Sequence, residues 1–168
     1  MADLSKLREQ GAQSCRMLGK LNLTKEPSGH VSARVAGEER ILIKARGPEE
    51  SGLRFVSARD IITVDFNGKK VAGDDGLDVP QEVFIHTWLY KTRPDVQCVV
   101  HVHPLTVALF TMCNKPIQPL YGAYDPSGLR LLVEGVASYP RSITVLNEQL
   151  GEEFAKAMGD KQACLMRG

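Results

Sequence analysis

Residues 96–102 read VQCVVHV, a β-rich run dense enough to be a central strand. Pro94 stops the helical pattern before it near Arg93, and from Pro104 another helix reads to Cys113. A strand of this kind belongs in a sheet covered by helices, and the rest of the chain reads accordingly. Apolar residues Leu4, Leu7, Cys15, Leu18 and Leu21 recur at helical intervals until residues 22–29 break the pattern. Val31, Ala33 and Val35 alternate with polar neighbours, and a Gly-Glu-Glu turn joins them to Ile41–Lys44, which predicts a hairpin. Ile61–Phe66, Asn67-Gly68 and Lys69–Ala72 predict a second hairpin, with Asn-Gly supplying a type I′ turn. Asp78 as cap and Pro80 in the first turn predict the start of the helix that ends near Arg93. Further on, Pro126–Gly135 reads as a short helix, Arg141–Leu146 as a strand, Glu148–Met158 as a helix ended by Gly159, and Gln162–Met166 as strand-like. Hairpins fill the first half and strands alternate with helices in the second. The expected class is α/β, a mixed sheet covered by helices, and residues 1–168 read as one domain.

Bulk numbers exclude several functions. Lys and Arg total 21 against 20 Asp and Glu, so no nucleic-acid footprint or acidic tail stands out. Apolar residues at 43% and charged residues at 24% argue against disorder. The chain offers no apolar run long enough to cross a bilayer, and MADLSKLREQ lacks the apolar stretch of a secretion signal, so the expectation is a soluble cytoplasmic protein. Cys15, Cys98, Cys113 and Cys164 are scattered, and read as reduced, packed thiols rather than as a disulfide scaffold or a nucleophile.

The strongest chemical signal is His101-Val102-His103 at the end of the 96–102 run. Side chains two apart on a strand share a face, so both imidazoles can address one metal ion. On its own, HxH is equally compatible with a pair of hydrogen-bonded surface histidines. The preceding helix adds weight: at about 100° per residue, Glu82 and His86 fall within the arc of Val83, Ile85, Trp88, Leu89 and Tyr90. A carboxylate facing a core is costly unless it is paired or bound to metal. Glu82 is therefore read as a metal-site residue, the alternative being a pair with His86 or a core cation. His86 is read as a satisfied core histidine or as a support for the ligands. Two histidines and a carboxylate supply an open catalytic metal centre, and a carboxylate that can leave the metal also serves as a general base.

Glu82-x3-His86 followed by RPDVQCVVHVHP, with SGHVSAR at 28–34, ILIKARG at 41–47, SARDIITVDFNGKKV at 57–71 and LMRG at the end, resembles the class II aldolase/adducin family over almost the whole chain. The resemblance implies a three-layer α/β/α sandwich around a mostly antiparallel sheet, and a homotetramer with active sites between subunits. It implies a divalent metal, zinc first and manganese or iron as alternatives, on His101, His103 and a third histidine, with Glu82 as ligand or catalytic acid/base. The third histidine is expected in an LMRGHG-like motif one position beyond Gly168, so the chain is expected to lack its C-terminal end.

Sugar-phosphate members of that family carry an asparagine in a GN-type loop and a Ser-Ser pair before the glutamate, where this chain has Gly29-His30 and Pro80-Gln81. Proline has neither a hydroxyl nor a backbone donor, so that mode of phosphate recognition is not expected. The GHVS variant resembles instead the branch with decarboxylases of hydroxylated aromatic or pyridine carboxylic acids. By that likeness His30, Lys44 and Arg46 are candidates for the substrate carboxylate, although Lys44 and Arg46 also fit solvated strand-end charges and His30 a loop support. Tyr124 or Tyr121, in YGAYDPSG, is the expected cross-subunit catalytic tyrosine, or a packed interface residue. Arg93 reads as a structural cap or interface residue. The expected function is a metal-dependent carbon–carbon lyase acting on a small carboxylate, without nucleic-acid or membrane partners. The alternatives are a class II aldolase or epimerase on a small hydroxy-carbonyl compound, a non-catalytic adducin-like binding domain, and a non-haem iron enzyme.

Overall fold

The computed structural model describes residues 3–25, 27–48, 52–122 and 124–167. Ala123 in YGAYDPSG and Gly168 in LMRG lie outside the described residues. Helix α1 (Leu4–Lys20) leads into strands β1 (His30–Arg34) and β2 (Arg40–Lys44), then β3 (Ile61–Asp65) and β4 (Lys70–Ala72). Helix α2 (Val83–Thr92), β5 (Cys98–His101), α3 (Leu105–Met112) and α4 (Pro126–Glu134) follow, before β6 (Ala137–Tyr139), α5 (Glu148–Met158) and β7 (Cys164–Met166).

The five-stranded sheet runs β4-β3-β2-β1-β5, every pair antiparallel. Period-2 alternation decides what each face carries. On β2, Leu42 turns toward α1 and packs with Cys15, Val31 and Ile61, while Ile41 and Ile43 turn the other way onto α2 and α5. Helices thus cover both faces, the three-layer α/β architecture anticipated from the sequence. The parallel pairing sits apart, in the two-stranded β6-β7 sheet.

Four local expectations are corrected. The 96–102 run forms β5 at an edge of the sheet rather than at its centre; Val99 is buried but Val100 is 47% exposed. A dense apolar run reports affinity for a pleated surface, not the number of neighbouring strands. Asp78 does not cap α2, because its backbone exchanges hydrogen bonds with Arg46 (3.0 and 2.8 Å), and the helix begins at Val83 with Glu82 as N-cap residue. The 66–69 turn is not type I′, since Asn22 and Asn114 are the non-glycine residues with positive φ among those described. There Gly68 takes φ +81° and donates to the Asp65 carbonyl, while the Asp65 side chain accepts from Asn67 N and Lys69 N. The strand expected at Arg141–Leu146 lies earlier, at Ala137–Tyr139, where the backbone finds β7; of residues 141–146 only Val145 is buried.

The cysteines are free thiols, but packing accounts for Cys15 and not for Cys98 and Cys113, which are exposed. Burial pushes the Cys15 thiol up to about 11.

Candidate metal centre

Strand β5 ends at His101, and the chain then turns so that His103 N donates to the Leu23 carbonyl at 3.0 Å. This turn brings the two imidazoles together, with His101 Nε2 2.8 Å from His103 Nε2. Glu82, at the N-terminus of α2, places Oε2 3.4 Å from His101 Nε2, and its Oε1 accepts from Val145 N at 3.4 Å. One oxygen of Glu82 and one nitrogen from each of His101 and His103 lie within 4.8 Å of one another. Tetrahedral donors at about 2.1 Å from a first-row ion are themselves about 3.4 Å apart, so this set fits a single divalent metal. The His101 side chain is 10% exposed and that of Glu82 17%. Burial, with the adjacent His103, holds His101 down at about 4, so at neutral pH it keeps the lone pair that a metal ligand needs.

Behind the ligands lies a polar layer in which the sequence marked His86 and His30 but not Ser32 or the Tyr90 hydroxyl. His30 pairs with His101 across β1 and β5, and their rings stack at 5.6 Å and 20°. His86 is fully buried and meets His30 edge-on, with ring centroids 5.7 Å apart. Its Nδ1 lies 2.7 Å from Ser32 Oγ, which lies 2.9 Å from the Tyr90 hydroxyl. Burial first, and nearby charge second, pushes His30 down to about 3 and His86 well below its ordinary value. His86 thus lies in the core against Ser32 and His30, and Glu82 faces His101 rather than His86. The sequence did contain a signal for this layer: His30 and Ser32 are two apart on β1 and so share the α2 face. Gly29 brings the chain in at φ +92°, and a Cβ there would stand 3.1 Å from the His101 carbonyl, so glycine is required at the entrance to the site.

The other candidates are not gathered at this cluster. Lys44 is 3% exposed and therefore not a solvated charge; it lies on the α1 face and reaches the Pro27 carbonyl at 3.3 Å, with its charge felt by His30. Arg46 is half-exposed, with a loose 4.0 Å pairing to Asp78. Tyr121 and Tyr124 are 76% and 89% exposed, and within the described chain neither hydrogen-bonds to the cluster. Arg93 ends α2, binding Asp95 at 2.7 Å and the Gly159 carbonyl at 2.8 Å, a structural clamp between the ends of α2 and α5.

A groove of about 660 Å³ opens beside His101 and His103, between β5 and α3 on one side and α5 and β7 on the other. Through it a small molecule can reach the two histidines. Among the described residues, no helix is long and apolar enough to cross a membrane.

Residues 9–168 match the model of the family described as Class II Aldolase and Adducin N-terminal domain. The chain is 42% identical over 164 residues to a 3,4-dihydroxyphthalate decarboxylase of Arthrobacter keyseri, covering 96% of this chain and 66% of that protein. It is 39% identical over 163 residues to a protein of the same name from Terrabacter sp. (strain DBF63), covering 96% and 68%. An aldolase II superfamily protein from Pseudomonas syringae superposes with a TM-score of 0.85 at 23% identity, over 99% of this chain and 65% of that one, a likeness of fold. The chain spans about two thirds of the length of these relatives.

Proposed function

The chain belongs to the class II aldolase and adducin family, and on that premise we propose that it is a metal-dependent carbon–carbon lyase that decarboxylates a hydroxylated aromatic or heteroaromatic carboxylic acid. The observation that carries the reading is the convergence of Glu82, His101 and His103, with both histidines lining a groove and His30 stacked on His101. The relatives named for decarboxylation of 3,4-dihydroxyphthalate favour this substrate class over sugar phosphates. So does Pro80-Gln81 ahead of the glutamate, which leaves no hydroxyl pair for a phosphate.

In this reading His101 and His103 hold a divalent ion, with zinc the first choice for two imidazoles and a carboxylate, and Glu82 as the exchangeable third donor. When bound, the metal supplies Lewis acidity toward the substrate's oxygen atoms. His30 orients the substrate carboxylate, and Lys44 and Arg46, near the same end of the sheet, contribute positive potential. The bond between ring carbon and carboxylate breaks, carbon dioxide departs, and the vacated ring carbon takes a proton from Glu82, which is replenished from water. The enzyme acts as a homotetramer, in which Tyr124 of one subunit serves its neighbour's site. Its place is the cytoplasm.

The test is product analysis with the zinc-loaded protein on two panels. Carbon dioxide release from dihydroxylated aromatic carboxylates is expected, without aldehyde release from sugar phosphates. Turnover of phosphorylated sugars with no decarboxylation would overturn the reading in favour of an aldolase.

A further inference from the structure

The hydroxyl of Tyr90 meets Ser32 Oγ at 2.9 Å and lies beside the Val99 backbone; Ser32 Oγ is its side-chain acceptor among the described residues, which places the phenol to donate to the serine. Ser32 then has one proton to give, and its nearer acceptor is His86 Nδ1 at 2.7 Å rather than the Val99 carbonyl at 3.5 Å. A His86 that accepts at Nδ1 carries its hydrogen on Nε2. That Nε2 is enclosed and has no hydrogen-bond partner, and so is His30 Nδ1, in the ring that meets His86 edge-on at 74°. Unpartnered on facing rings, the two atoms form a complementary donor and acceptor that a small ring rotation or one shared water would join. The other nitrogen of His30 is not enclosed in this way, and the His30 ring lies against His101.

We propose that Tyr90, Ser32 and His86 are positioning residues that fix the tautomer of His30, so that His30 presents Nε2–H to the acidic group of the substrate beside the metal ligands. The inference rests on the reading of His30 as a substrate-binding residue and adds how the core sets its donor. Direction runs one way along the chain, from phenol to serine to His86 to His30, because tyrosine at the far end has no other side-chain acceptor among the described residues. Ser32 is the weak link: it is 1% exposed, and its hydroxyl alone joins Tyr90 to His86.

The experiment is nitrogen-15 NMR of histidine-labelled, zinc-loaded full chain, with His30 assigned by the signals lost in His30→Gln. Binding of 3,4-dihydroxybenzoate is measured alongside. Wild type is expected to hold His30 in one form, protonated on Nε2 and bare on Nδ1. Ser32→Ala is expected to mix the two forms and to weaken the probe about tenfold, the scale of one misdirected charge-assisted hydrogen bond, while zinc affinity is unchanged. Ser32→Thr, which keeps the hydroxyl, is expected to restore both. If Ser32→Ala does not fold, Tyr90→Phe replaces it; removing the phenol frees the serine proton for Val99 and is expected to mix the His30 forms in the same way. A wild-type His30 protonated on Nδ1, or a single unchanged form in the variants, would overturn the proposal. A single Nε2–H form in a protein that ignores the probe supports the positioning link and overturns the substrate reading alone.

Discussion

Glu82 is costly where it stands. Its carboxylate is largely withdrawn from water, and its partners are a backbone N–H at 3.4 Å and an imidazole that burial keeps neutral. A carboxylate so placed needs a cation, and a metal ion between it and the two histidines provides one. In the proposed reaction the same residue carries the proton to the substrate. Glu82→Gln keeps the shape but not the exchangeable proton, so the fold is expected to persist by circular dichroism while turnover falls by at least about 100-fold. Unchanged turnover would remove Glu82 from the chemistry. Of this site, HVH and the glutamate ahead of α2 were legible from residue type and close spacing, although His103 is placed by the turn after β5 and Glu82 by its N-cap position rather than by strand or helix period. The stacking of His30 on His101 was not, since it depends on β1 and β5 pairing in one register across 71 residues of chain. Ser32 and Tyr90 were illegible for a related reason: a serine in a strand and a tyrosine in a helix look like ordinary packing until the two elements meet.

Elements are held in place by close approaches as much as by apolar area. Helix α5 crosses α2 at Gly151, where a Cβ would stand 2.8 Å from the Phe84 carbonyl and 2.9 Å from Phe84 Cβ, and would also strike Trp88. Since α2 carries Glu82 at its start and His86 and Tyr90 on its buried face, this crossing also sets the depth of the site. Gly151→Ala is expected to cost about 2 kcal/mol, the usual range for overpacking, read as a lower urea midpoint with an unchanged slope. A midpoint equal to wild type would mean that the helices separate freely. Helix α5 itself was readable to its last residue because Asn147 caps it, Glu148 opens it and Gly159 ends it at φ +56°. The start of α2 was misplaced because Asp78, a good cap by type, is held by Arg46 in an extended bridge instead. Local capping rules fail where a tertiary backbone pairing claims the same residue.

At the scale of the molecule, a five-stranded sheet with helical cover on both faces follows from the alternation that the sequence carried in β1, while β2 and β3, buried on both faces, read only as short apolar runs. Which strand would stand at the edge was not encoded locally, so the most apolar-looking run lies at the rim. Helix α3 has no buried residue, and its Leu105, Leu109, Phe110 and Met112 are exposed, a surface suited to the proposed assembly. The buried, neutral His30 and His86 tie stability to pH. Their folded values lie below the unfolded one, so the unfolded state takes up more protons, and their contribution is complete above pH 6.5 and declines as pH falls toward about 3 for His30. Urea unfolding of metal-free protein is expected to lose on the order of 1 kcal/mol per pH unit for each histidine as pH drops from about 7 to about 5. Equal stability at the two values would show that neither histidine is kept neutral by the fold. The central claim, that Glu82, His101 and His103 hold a divalent metal, is tested most directly by the metal-to-protein ratio of unwashed wild type and of the His101→Ala, His103→Ala variant. About one divalent ion per chain in wild type, lost in the variant, is the expected result; full metal content in a folded variant would contradict it.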